Sequence, residues 1–207
     1  MLRRAQTSAI LTAAGASRRM GAPKALLELT PGGPNLIEHQ ASQLCGFHSV
    51  TVVTGAHALS AYIASPATEL HHAGWASGRQ GSIAAAARAI AAMPHAAEIR
   101  AILVVAVDQP LTARVLDALL NSIDSAVFEL PVAPTYNGRG GHPLILPASL
   151  LADLCRLDTE PEGLRSLLAR TGRARVPVPF PEVLLDINRP EDWCALLDSG
   201  MLEQSRT

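Results

Sequence analysis

Ala101-Ile102-Leu103-Val104-Val105-Ala106-Val107 is an unbroken apolar run closed at once by Asp108-Gln109-Pro110. A run of this length, rich in branched side chains and without a polar member, suits a strand buried on both faces of a parallel sheet. It is far too short to span a membrane. Pro110 turns the chain away, so the run predicts a central strand with a carboxylate, Asp108, at its carboxyl end.

Working outward, apolar strand-like runs alternate with Ala- and Leu-rich helical stretches. Before the central run, strands are expected over Ser8–Ala13, Ser49–Thr54 and Glu69–Ala73. Helices are expected over Leu36–Leu44, in a short stretch before Pro66, and over Gly81–Met93, where Pro94 ends the last, with Gly32, Gly33 and Pro34 marking a turn. After it come a helix over Arg114–Ser122, extended chain through Phe128–Pro134 and a glycine-rich turn at Asn137–Gly141. Short helices near Leu150 and Leu167, a last strand over Val183–Ile187 and a closing helix from Pro190 complete the reading. This alternation predicts an α/β, Rossmann-like three-layer sandwich: a mostly parallel, mixed sheet with helices on both faces.

The 207 residues, 48% apolar, fit a single domain over 1–207, with no repeat, linker or low-complexity segment to divide them. A net charge of −1 supplies no broad basic surface for nucleic acid or an anionic membrane, so a small-molecule partner is expected. The three cysteines, Cys45, Cys155 and Cys194, form no CxxC pair and are expected as small buried hydrophobes. Arg3 and Arg4 precede only the short apolar stretch Ala9–Ala14, too short for a signal-peptide core, which points to a reducing, cytoplasmic protein.

The chemistry concentrates after the first strand, in Leu11-Thr12-Ala13-Ala14-Gly15-Ala16-Ser17-Arg18-Arg19-Met20-Gly21-Ala22-Pro23-Lys24. Open α/β sheets bind ligands at this position. Gly15 and Gly21 let the backbone approach phosphate oxygens, while Arg18, Arg19 and Lys24 can neutralise a triphosphate. The spacing is neither that of a Walker A loop nor GxGxxG, which excludes the dinucleotide fingerprint of NAD-linked oxidoreductases. A solvated basic turn is the alternative reading.

Asp108 is placed to hold magnesium against a triphosphate, or to act as a turn or cap aspartate. Asp186, in Leu185-Asp186-Ile187-Asn188-Arg189-Pro190-Glu191-Asp192, is a second candidate metal ligand, although Asn188, Glu191 and Asp192 also suit a helix start. Gly138-Arg139-Gly140-Gly141-His142-Pro143 offers a turn able to close over a substrate. The other six histidines, including His71 and His72, lack the spacing of a metal site.

Together these segments resemble the molybdenum cofactor cytidylyltransferases and the related guanylyltransferases, within the wider nucleotide-diphospho-sugar transferase type of nucleotidyltransferases. The family's Leu-Ala-Ala-Gly-x-Ser-x-Arg-Met-Gly-x-x-Lys is similar to Leu11–Lys24, its Asp-Gln-Pro to Asp108–Pro110, its Arg-Gly-His-Pro to Arg139–Pro143 and its Asp-Ile-Asp-Thr-Pro-Glu-Asp to Asp186–Asp192. Gly74-Trp75-Ala76-Ser77-Gly78-Arg79-Gln80-Gly81-Ser82 resembles the family's loop and helix start beside the nucleotide. Thr12, Asn188 and an extra glycine between Arg139 and His142 depart from the pattern.

The resemblance implies a magnesium-dependent enzyme that transfers CMP from CTP to a molybdopterin-type acceptor bearing molybdenum, whose product passes to a molybdoenzyme or its chaperone. It implies catalytic roles for Lys24, Arg19 and Asp108, nucleotide contacts from Ala13, Ala14, Gly15, Ser17, Arg18, Gly21, Arg79 and Ser82, an acceptor-facing His142, and magnesium on Asp108 and Asp186. Ala13-Ala14-Gly15 is similar to the cytidylyl form, since the guanylyl form has glycine in place of Ala14. A guanylyltransferase, a transferase for another phosphorylated small molecule and a non-catalytic cofactor-delivery protein remain the alternatives.

Overall fold

In the computed structural model, which describes residues 1–202, one sheet is built from β1 (Thr7–Thr12), β2 (Ser49–Thr54), β3 (Ala67–His71), β4 (Ala101–Ala106), β5 (Val132–Tyr136), β6 (Arg139–Gly140), β7 (Leu144–Pro147) and β8 (Ala174–Pro177). The strand order is β3-β2-β1-β4-β7-β5-β6, with β8 added beside β5. β1 runs parallel to β2 and β4, and β3 parallel to β2. The sheet turns mixed beyond β4, where β7 is antiparallel to both β4 and β5.

The central apolar run explains this order. β1 and β4 are buried along their whole length, as strands with a neighbour on each side and helices over both faces must be. Their side chains alternate between two cores. Ala9, Leu11, Leu103 and Val105 face one, with α1 (Leu36–Gln43), α3 (Ala113–Ser122) and α6 (Pro190–Ser199) contributing Leu36, Leu116 and Leu196. Ile10, Ile102 and Val104 face the other, closed by α2 (Arg79–Ala91), α4 (Leu151–Leu154) and α5 (Leu164–Thr171).

The helices form where caps and apolar stripes allow. At α1, Asn35 Oδ1 accepts from Glu38 N at 3.0 Å and Glu38 Oε2 accepts from Asn35 N at 2.9 Å, a reciprocal capping box. α3 presents Val115, Leu116, Leu119 and Leu120 as one buried stripe. The alanines of α2 bury Ala84, Ala86 and Ala87 beside Ile83 and Ile90.

Four expectations need correction. Val183–Ile187 is not a strand: Pro181–Leu184 forms a 3-10 turn and the rest is irregular, because its polar groups bond to scattered partners rather than to one neighbouring strand. Glu182 Oε1 accepts from Thr112 Oγ1 at 3.1 Å and Arg114 Nε at 2.6 Å, while Ile187 N donates to Asp108 O at 2.8 Å. The last strand is instead β8, whose arginine-bearing, half-exposed pattern carries little apolar signal. β7 follows Pro143 and ends on Pro147, prolines that masked it, and β5 begins at Val132 rather than Phe128. Finally, Cys45 and Cys194 are exposed and Cys155 is partly buried, since they occupy the turn after α1, the outer side of α6 and the end of α4.

No helix among the described residues is long and apolar enough to cross a membrane. Because Leu103 is fully buried in the central strand, Leu103→Ala should lower the urea-unfolding free energy by about 2–5 kcal/mol. A loss below about 1 kcal/mol would show that the core collapses around the gap.

Candidate active site

The chain leaves β1 for β2 on one side and arrives at β4 on the other, so a crevice opens between the carboxyl ends of β1 and β4. Thr12 and Ala106 stand opposite each other in register, and the two segments that follow leave the sheet side by side. Here lies a cavity of about 480 Å³. Of the residues singled out in the sequence, it gathers Ala13, Ala14, Gly15, Ser17, Arg18, Arg19, Lys24, Arg79, Ser82 and Asp108. Gly21, His142 and Asp186 are not among its lining residues.

The loop after β1 is shaped by a few local bonds. Ala13 N donates to Val53 O at 2.8 Å, which ties it to β2, and Ala14 O accepts from Ala56 N at 3.0 Å, which ties it to the segment just after that strand. Ser17 and Gly21 adopt left-handed backbone, at φ 51° and 77°, and the buried Met20 side chain pins the loop to the core between them. Ser17 Oγ accepts from Lys24 N at 3.1 Å, closing the loop. Lys24 then opens a 3-10 turn with its side chain buried.

That side chain meets two acceptors. Lys24 Nζ lies 3.0 Å from Asp108 Oδ2 and donates to Asn188 Oδ1 at 3.0 Å, while Arg19 Nη2 donates to the same Asn188 oxygen at 2.7 Å. Lys24 is the single lysine of the chain. An ammonium has three protons, so the third is left for a ligand oxygen. Asp108 Oδ1 is buried without a hydrogen-bond partner among the described residues. A stranded carboxylate oxygen is costly, and a hard divalent cation suits it. No group of three or more His, Cys, Asp or Glu residues able to hold a metal occurs among the described residues, so such an ion would draw most of its ligands from phosphate and water.

Asp186 is exposed, and Asn188, two residues on, is the one that reaches into the cavity. The turn between them and α6 is held by Asp192 Oδ2, which accepts from Asn188 N and Arg189 N, each at 2.8 Å. These two bonds hold the Asp192 carboxyl below its ordinary range.

On the other side of Asp108, Gln109 Nε2 donates to His142 Nε2 at 2.8 Å, which places the ring proton on Nδ1. Burial, reinforced by the Arg79 charge, pushes the His142 pKa below its ordinary 6.5, while Asp186 and Asp108 pull the other way. His142 is held by its backbone, whose N–H donates to Val183 O at 2.8 Å. Gly141 makes that approach feasible, since a Cβ there would stand 2.3 Å from Val183 O.

The far wall is the amino end of α2. Gly78, at φ 112°, turns the chain so that Arg79 and the buried Ser82 reach the cavity, where unpaired backbone N–H groups favour an anion. Trp75 packs so closely on Gly55 that a Cβ there would lie 2.5 Å from the Trp75 Cβ. His57 also lines the cavity, with its Nε2 buried and unpartnered among the described residues. Neither His57 nor Asn188 was anticipated as a cavity residue. The available signal for His57 was its place just after β2, the position that Gly15 holds after β1.

Residues 9–176 match the model of the MobA-like NTP transferase domain. The chain belongs to this family. Among solved structures, this MobA-like chain is similar to a homologue of the Mycobacterium tuberculosis protein Rv0371c from Mycobacterium sp. strain JC1, with 23% identity, TM-score 0.74, and 97% and 99% of the two chains covered. It is similar to Rv0371c of M. tuberculosis H37Rv in complex with manganese, with 20% identity, TM-score 0.64, and 94% and 99% covered. It is also similar to the molybdopterin-guanine dinucleotide biosynthesis protein A of Archaeoglobus fulgidus, with 21% identity, TM-score 0.66, and 97% and 100% covered. No curated protein matches it in sequence.

Two measurements check the His142 side of this MobA-like site. Because its folded pKa is lowered, His142 should stay neutral at pH 7, and its NMR titration midpoint should fall below 6.5. A midpoint at or above that value would contradict the burial argument. Gly141→Ala should destabilise the protein by about 1–3 kcal/mol, by forcing His142 away from Val183. Gly140→Ala, with nothing within 4 Å of its added Cβ, should stay within about 0.5 kcal/mol in the same denaturant titration.

Proposed function

We propose that this nucleotidyltransferase transfers CMP from CTP to molybdenum-bearing molybdopterin and releases pyrophosphate. The observation that carries the reading is the Lys24 and Asp108 pair, joined at 3.0 Å at the switch point of the sheet, with the second Asp108 oxygen buried and without a hydrogen-bond partner among the described residues. In the reaction an oxygen of the acceptor phosphate attacks the α-phosphorus of CTP. The new P–O bond forms as the bond between the α-phosphorus and the bridging oxygen breaks, and that oxygen leaves on pyrophosphate.

The chain contributes positioning and charge rather than a covalent nucleophile. Lys24 offers its remaining proton to a triphosphate oxygen, with Arg19 and Arg18 beside it. The loop backbone from Ala13 to Ser17, opened at Gly15 and shaped by Gly21, wraps the nucleotide, and Arg79 and Ser82 close the opposite side. Neutral His142, next to Gln109, faces the acceptor. Asp108 would hold magnesium, with Asp186 as a second carboxylate, and the ion would neutralise charge on the triphosphate. The manganese complex of the mycobacterial relative supports a divalent ion in this fold.

The preference for CTP is supported by Ala14, whose methyl group narrows the cavity where the guanylyl form has glycine. The Archaeoglobus relative, named for molybdopterin-guanine dinucleotide biosynthesis, favours GTP as the second reading. The product would pass to a molybdoenzyme or its chaperone, and the three free cysteines suit a reducing, cytoplasmic setting.

Pyrophosphate release with magnesium, molybdenum-bearing molybdopterin and each of CTP, GTP, ATP and UTP tests the reading. CTP should be selected, and Asp108→Ala should lower turnover by about a hundredfold or more while leaving the fold intact. A GTP-selective signal would overturn the base assignment. Near-normal turnover in Asp108→Ala would remove the metal role.

A further inference from the structure

Gln40 is completely buried on α1 and does not itself line the cavity. Its side-chain amide is spent on the turn that carries Asp108. Nε2 lies within hydrogen-bond distance of Ala106 O at 3.3 Å, Val107 O at 3.3 Å and Gln109 O at 2.8 Å, and Oε1 accepts from Leu111 N at 2.9 Å. The contacts fall on both sides of Asp108. The neighbouring His39 adds a contact from Nε2 to Leu111 O at 3.0 Å.

The turn needs such a splint. After Ala106 the chain leaves the sheet; Ala106 O accepts from Gln109 N at 3.0 Å within the turn, but the Val107 and Gln109 carbonyls have left the strand ladder while both residues remain buried. A buried peptide carbonyl without a partner is unfavourable, and the turn would otherwise rearrange to satisfy these groups. A glutamine amide supplies donors and an acceptor from one rigid plane, which no apolar side chain of the same volume can do. Asp108 would move with that rearrangement, since it lies between the carbonyls of Val107 and Gln109 that Gln40 holds.

We infer that Gln40 is a positioning residue for nucleotidyl transfer: its amide fixes the Ala106–Leu111 turn and thereby holds the Asp108 carboxylate against Lys24. The inference rests on the proposed transfer reaction for its kinetic consequence, although its structural consequence can be read without turnover. Leu36 N, at the start of α1, donates to Leu27 O at 2.9 Å, just past the 3-10 turn that Lys24 opens, so the helix that carries Gln40 is also fastened to the segment that follows the phosphate loop.

The single lysine provides the probe. Protein labelled with ¹³C and ¹⁵N in lysine alone gives one lysine side-chain signal in NMR, that of Lys24, and Asp108→Asn marks where the signal falls when the ion pair is lost. In Gln40→Met, a volume-matched change, the signal should move most of the way to the Asp108→Asn position, and kcat should fall by about ten- to a hundredfold with little change in KM for CTP. Ile37→Ala, a buried change on the same helix whose side chain has no hydrogen-bonding group to offer the turn, should leave the signal in place even where it destabilises the fold. Gln40→Leu is the second variant should Gln40→Met fail to fold.

A Gln40 variant whose lysine signal coincides with the wild type would overturn the inference, as would an equal shift in Ile37→Ala. Absence of pyrophosphate release from the wild-type protein would count against the transfer reaction alone, because the lysine signal still reports whether Gln40 sets the pair.

Discussion

The ion pair between Lys24 and Asp108 is the interaction on which the arrangement of this molecule depends. Its two members come from segments that leave adjacent parallel strands, and they meet only because β1 and β4 end flush, with Thr12 opposite Ala106. Both side chains are largely withdrawn from water, at 11% and 16% exposure, so removing either partner would leave an uncompensated charge near the core. A pair in such a place contributes little net stability once its desolvation is counted. Its persistence is better explained by what it presents: an ammonium with one free proton and a carboxylate with one free oxygen, side by side at the mouth of a cavity.

The surroundings are consistent with that reading. The loop from Ala13 to Lys24 is fastened at Ala13, Ala14 and Met20 and closed by the bond from Lys24 N to Ser17, so the lysine is delivered by a constrained backbone. On the opposite strand, Ile187 N and the Gln40 amide grip the turn that bears Asp108. Rigid supports of this kind are what a transfer reaction without a covalent intermediate demands, because its acceleration comes from alignment and from charges that need not reorganise.

Much of this was legible in the sequence because the central elements obey simple periodicity. The Ala101–Val107 run could only be a strand buried on both faces, and Asp108 after it could only lie at the sheet's carboxyl edge. The errors occur where backbone bonds leave the regular ladder. Val183–Ile187 is apolar enough for a strand, but Val183 O is taken by His142 N and Ile187 N by Asp108 O, partners from two different segments that no local pattern reveals. β8 was missed for the opposite reason, since Arg175 within it and Arg173 just before it hide a short strand that pairs with β5. The same distinction applies to the cavity. Lys24 and Asp108 announce themselves by charge and position, whereas Gln40 is read as an ordinary helix residue until the turn it satisfies is seen.

Asn188 shows why a departure from the family's sequence pattern can be chemically coherent. Its side-chain oxygen accepts from both Lys24 and Arg19, orienting two cations with a neutral dipole. A carboxylate in that position would bind the same cations more strongly, but it would also cancel their charge and repel the polyphosphate they are placed to receive. Lys24 already has one anionic partner in Asp108. With an amide as the second partner, the loop keeps its positive field toward the cavity while its side chains remain held, so the geometry of the basic cluster is set without neutralising it.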